Sequence, residues 1–88
     1  MRLSQEKKDK IAEQILSLLY HIFPQAKFTA EIAREMARDE EFIKALMLDL
    51  KDKELVMSIK KNYKGEFYSR RIRWRLSNKA YSAYKQHV

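Results

Sequence analysis

The chain has 88 residues, room for one domain with one modest core, and its 45% hydrophobic content is enough to fill that core. It has no cysteine, which excludes disulfides and thiolate metal sites, and a single glycine and a single proline leave few breaks in a helix-rich chain. The net charge of +7 is unevenly placed: residues 1–54 carry ten basic and eleven acidic side chains, whereas residues 55–88 carry nine basic ones against Glu66 alone.

A block of one sign is what a polyanion-binding surface needs, whereas a merely solvated surface intersperses both signs. The N-terminus is charged, with no apolar stretch of the kind a signal peptide needs. The most apolar run, Ile15 to Tyr20, is interrupted by Ser17 and is too short to span a bilayer. The expectation is a cytoplasmic protein that does not associate with membranes.

The first helix is predicted from Ser4, its N-cap, to His21, with Ile11, Ile15, Leu18, Leu19 and Ile22 at helical spacing and Pro24 ending it. Lys27-Phe28 reads as a very short strand. Thr29 reads as the cap of a second helix that buries Ile32, Ala33 and Met36. Arg38-Asp39 makes a turn, and Asp39 caps a third helix reaching about Lys53. Phe42, Ile43, Leu46, Met47 and Leu50 form one arc of that helix, opposite Glu40, Glu41, Lys44, Leu48, Lys51 and Asp52.

After Glu54 the period changes from helical to alternating. Leu55, Met57 and Ile59 alternate with Val56, Ser58 and Lys60. Beyond the turn Asn62-Tyr63-Lys64-Gly65, Ile72, Trp74 and Leu76 alternate with Arg71, Arg73 and Arg75. This predicts an antiparallel hairpin, Leu55 to about Asn62 paired with about Phe67 to Leu76, with one apolar face and one arginine face. Ser77 caps a last helix bearing Ala80, Tyr81, Tyr84 and Val88 on one side.

The element order and three stretches of sequence resemble the winged helix-turn-helix superfamily. Phe28-Thr29-Ala30-Glu31-Ile32-Ala33-Arg34-Glu35-Met36 is similar to the opening of the first helix of the helix-turn-helix. Ile43, Met47 and Leu50 followed by Leu55-Val56 resemble the third helix running into the wing, and Arg73-Trp74-Arg75-Leu76-Ser77-Asn78-Lys79 resembles the second wing strand and the cap after it. The resemblance covers Ile11 to Tyr84. It implies a single domain over residues 1–88, mainly α with a small β-hairpin wing (α+β) at about 55–76, and a transcription-regulator-like DNA-binding role. Two positions depart from the pattern. Glu54 stands where many members have the glycine that turns the chain out of the helix. Asp39-Glu40-Glu41 opens the helix that typically enters the major groove, where carboxylates favour the helix dipole but repel phosphates.

The expected nucleic-acid contacts are Lys44 and Lys51 on the third helix and Lys60, Lys61, Lys64, Arg70, Arg71, Arg73 and Arg75 on the wing, because phosphates need long cationic donors. Duplex DNA is the expected partner, and the superfamily resemblance implies a homodimer through terminal helices. Two other readings stay open: a protein-interaction module that uses Leu48 and the acidic helix face, and RNA binding through a wing in which Tyr63, Phe67 and Tyr68 interleave with cations. Trp74, in phase with Ile72 and Leu76, reads as core. His21 and His87 have no acid or metal-spaced ligand beside them in the sequence. No cofactor, metal site or enzymatic activity is expected.

Overall fold

The computed structural model describes residues 4–60 and 71–86. In chain order these form α1 (Gln5–Ile22), β1 (Lys27–Phe28), α2 (Thr29–Met36), α3 (Glu40–Asp52), β2 (Val56–Ile59), β3 (Arg73–Leu76) and α4 (Asn78–Gln86). The α+β winged-helix order is therefore present. Ser4 caps α1, its hydroxyl accepting from Lys7 N–H at 3.2 Å, and Asp39 caps α3, its carboxylate accepting from Phe42 N–H at 3.1 Å. Ser77 accepts from Ala80 N–H at 3.0 Å at the start of α4 and donates its own proton to the Glu54 carbonyl at 2.9 Å. One serine thus ties the entry of α4 to the exit of α3. None of the helices among the described residues is long and apolar enough to cross a membrane.

The sheet has three strands, not the two of the hairpin alone: β3 lies in the middle, antiparallel to both β1 and β2. The register places Val56 opposite Leu76 and Ser58 opposite Trp74, with Met57 opposite Arg75 and Ile59 opposite Arg73. This corrects the expected phase of β2. Val56 is buried and Met57 is 44% exposed, so the inward set is Val56 and Ser58 rather than Leu55, Met57 and Ile59. Residues directly opposite each other share a face, and the wholly buried Trp74 and Leu76 fix which face is inward, so β2 must follow them. Leu55, read as the first strand residue, belongs instead to the turn out of α3.

Thr29 is a second correction. It is the first residue of α2, not its cap. The end of the helix is closed from inside, by the Glu31 carboxylate accepting from Phe28 N–H at 2.8 Å. Thr29 is buried, and its hydroxyl accepts from Trp74 Nε1–H at 2.8 Å and donates to the Ile72 carbonyl at 3.3 Å. The threonine is recruited by the indole because a buried N–H without an acceptor is costly.

Both helices of the helix-turn-helix end in the same motif. At α2, Arg38 N–H bonds to the Ala33 carbonyl and Ala37 N–H to that of Arg34. At α3, Leu55 N–H bonds to the Leu50 carbonyl and Glu54 N–H to that of Lys51. This crossed pair is a Schellman termination, which requires a left-handed residue at its apex, usually glycine. Here the apices are Ala37 (φ 54°) and Glu54 (φ 63°). The core they frame holds Ile11, Ile15 and Leu19 of α1, Ile32 and Ala33 of α2, Ile43, Met47 and Leu50 of α3, and Val56, Trp74, Leu76 and Ala80.

Candidate nucleic-acid interface

The exposed side of α3 follows directly from its buried one. Ile43, Met47 and Leu50 are held in the core, so Glu40, Glu41, Lys44, Ala45, Leu48, Lys51 and Asp52 point away from it. Leu48 is 43% exposed. Lys44 stands in the middle of this surface. Lys51, near the end of the helix, lines a groove of about 440 Å³ with Met57 and Ser58 of β2 and with Lys79 of α4. Lys79 is 3.3 Å from the Glu54 carboxylate in an exposed ion pair.

The arginines in and just before β3 are not a uniform solvent ladder. Arg71 is exposed, but Arg73 and Arg75 are half-buried. Arg71 and Arg73 lie over the Phe28 ring, with guanidinium carbons 4.8 and 5.9 Å from its centroid, and Arg75 lies over Phe23 at 5.8 Å. Arg75 also donates to the Leu76 carbonyl at 3.0 Å and to Asn78 Oδ1 at 3.4 Å. Their stems cover aromatic surface that the sheet would otherwise leave wet. Lys60 is exposed just past β2, whereas Lys61, Lys64 and Arg70, like Tyr63, Phe67 and Tyr68, lie outside the described residues.

Arg71 has a second neighbourhood. Together with Ile72 it lines a small crevice of about 30 Å³, whose other walls are Phe28, Thr29 and Ala30 at the start of α2 and Glu40 at the start of α3. The structure therefore brings the base of the wing to the entrance of α3. A wing cation and the positive end of the α2 dipole stand beside the acidic turn that opens α3, and both offset its field.

The aromatic shelf has almost no signature along the chain. Phe23 stacks on Tyr81 at 4.0 Å, and Tyr81 on Tyr20 at 5.3 Å, so the end of α1 is sealed against α4 by rings. A phenylalanine just before Pro24 and a phenylalanine ending a two-residue strand are the only local signals for it. Burial, with a smaller contribution from the Glu13 carboxylate, holds the Tyr84 phenol above its ordinary pKa. The ring nitrogen Nδ1 of His21 is 2.7 Å from the Ser17 carbonyl in the last turn of α1, an ordinary helix-end contact.

Neither a family model nor a curated sequence matches the chain. Solved structures do. An apo double mutant of Lactococcus lactis ZitR superposes with a TM-score of 0.71 at 27% identity, covering 93% of this chain and 57% of that one. The chain is a winged helix-turn-helix domain. The ZitR crystal structure described as a zinc-responsive MarR family member gives a TM-score of 0.67 at 22% identity over 99% of this chain and 52% of that one. A mutant of S. aureus MepR bound to an oligodeoxyribonucleotide gives 0.59 at 18% identity over 94% and 68%. The winged-helix domain thus spans little more than half the length of the ZitR chains, and at 18–22% identity the likeness is one of fold.

Proposed function

We propose that this winged-helix domain is a DNA-binding module of a transcription regulator, with no enzymatic activity of its own. In this reading the basic wing supplies most of the affinity through phosphate contacts and α3 lies along the groove. The observation that carries it is the convergence of Arg71, the start of α2 and the start of α3 on one corner, next to an α3 surface facing outward along its whole length. Such a corner sets a helix against a groove and a cation against the neighbouring phosphates. The likeness to MepR, solved on an oligodeoxyribonucleotide, supports the same reading.

The nine cations divide their work unequally in this proposal. Arg71, Lys60 and Lys51 are exposed and reach phosphates, exposed Lys44 faces the groove from the middle of α3, and Lys61, Lys64 and Arg70 extend the same basic segment in sequence. Arg73 and Arg75 contribute field and hold the sheet. Two copies joined through the terminal helices would present two α3 surfaces to half-sites one helical turn apart. Zinc responsiveness is a property of ZitR and forms no part of this proposal. Titrating random duplex DNA, single-stranded DNA and structured RNA across a salt series tests the proposal. Duplex DNA should bind tightest, with a steep negative salt slope; a preference for single strands or RNA would overturn it.

A further inference from the structure

On α3, Glu41, Lys44, Ala45 and Leu48 fall within about 100° of helical arc, centred opposite the buried Ile43 and Leu50, and all four are exposed. From Glu41 to Leu48 the helix rises about 10 Å, the length of about three base-pair steps. Nothing on this stripe has the bidentate heads that most often read guanine or adenine: there is no arginine, asparagine or glutamine. It offers instead a carboxylate at the first turn, one ammonium, and two apolar side chains. The Asp39 carboxylate is already committed to the Phe42 amide, which leaves Glu40 and Glu41 as the acceptors at this end. Of these, Glu41 lies on the stripe and Glu40 turns toward the Arg71 crevice.

These groups have definite complements in a major groove. A carboxylate accepts from the cytosine N4 amino group and is repelled by guanine O6 and N7; an ammonium prefers guanine; a methyl or isobutyl group packs on the thymine 5-methyl. We infer that Glu41, Lys44 and Leu48 determine sequence preference, Glu41 selecting cytosine, Lys44 the guanine of the same or an adjacent pair, and the Leu48 isobutyl group a thymine methyl within about three base pairs. The acidic start of α3 is then a discriminating element, and its repulsion of phosphates is offset by Arg71. This inference rests on the DNA-binding reading above and adds the identity of the bases.

The test is selection from a randomised duplex library, followed by anisotropy titrations of the selected duplex in one buffer. The selected sites should share a C·G pair with a thymine nearby. Replacing that thymine by uracil, which removes only the methyl group, should weaken the parent protein about three-fold, and Leu48→Ala should not distinguish the two duplexes. Glu41→Gln should move the preference at its position from cytosine to adenine by about five-fold, because an amide both donates and accepts. Both residues are exposed, so the core is untouched, and circular dichroism of the variants verifies this. Random duplex bound without any selected preference overturns the inference alone, as does a thymine-to-uracil effect that survives Leu48→Ala. No binding to random duplex even at low salt overturns the DNA-binding reading and this inference with it.

Discussion

Trp74 and Thr29 lie 45 positions apart, yet the indole N–H of one donates to the hydroxyl of the other at 2.8 Å inside the core. This contact joins the middle strand of the sheet to the first residue of the helix-turn-helix. With the Thr29 N–H donating to the Ile72 carbonyl at 3.1 Å, it ties the start of α2 to β3 and the residue before it.

Thr29→Val keeps the side-chain shape and leaves the indole N–H without its acceptor. The expected loss is about 1–3 kcal/mol of stability, whereas Thr29→Ser, which keeps the hydroxyl, should lose less than half as much. Trp74→Ala, which empties the site, should cost about 3–5 kcal/mol. Urea unfolding followed by circular dichroism measures all three. A Thr29→Val protein as stable as the parent would show that the hydrogen bond contributes nothing net.

The two left-handed apices give the opposite sign. Ala37→Gly should stabilise the domain by about 0.5–1 kcal/mol, because glycine adopts φ 54° without the steric cost that alanine's Cβ brings. Glu54→Gly should gain less, since it also removes the exposed ion pair with Lys79. Thermal unfolding of both variants checks the order. Equal or lower stability for Ala37→Gly would mean that the unfolded chain's added freedom outweighs the relieved strain.

How far the sequence carries depends on which interactions are local. The caps at Ser4, Asp39 and Ser77 are legible because each is a short-range pattern of hydroxyl or carboxylate followed by a helix. The turn at Glu54 is legible from the family resemblance, whereas the left-handed role of Ala37 is not. Thr29 misleads because its residue type suits a cap, and only the fold brings Trp74 within its reach. The phase of β2 misleads for a similar reason: Leu55, Met57 and Ile59 look apolar by alternation, but Leu55 is needed for the turn and the register belongs to Trp74 and Leu76. The candidate site is legible as a charge block and not as a geometry. Neither the Phe28 and Phe23 shelf under the arginines nor the meeting of Arg71 with Glu40 is marked by any pattern along the chain.

Arg71, just before β3, and Arg75, within it, should therefore respond differently to the same substitution. Arg75 is half-buried over Phe23 and bonded to Leu76 and Asn78. Arg75→Ala should cost about 1–2 kcal/mol of stability and leave the salt slope of DNA binding nearly unchanged. Arg71 is exposed, and its guanidinium lies over the Phe28 ring in the corner it shares with Glu40. Arg71→Ala should leave stability almost intact and weaken binding to all duplex sequences alike. It should also flatten the log–log salt dependence by about 0.9, the share of a single phosphate that is no longer neutralised. Glu40→Gln removes the neighbouring repulsion and should strengthen binding about two-fold at low salt, an advantage that fades as the Debye length shrinks. Lys44→Ala should cost less non-specific affinity than Arg71→Ala, because Glu40 and Glu41 already offset its field. Stability and salt-series binding, measured on the same four proteins in one buffer, decide the matter. If Arg75→Ala changes the slope and Arg71→Ala does not, the wing meets DNA through the far end of β3, and the corner shared with α2 and α3 is not where the phosphate sits.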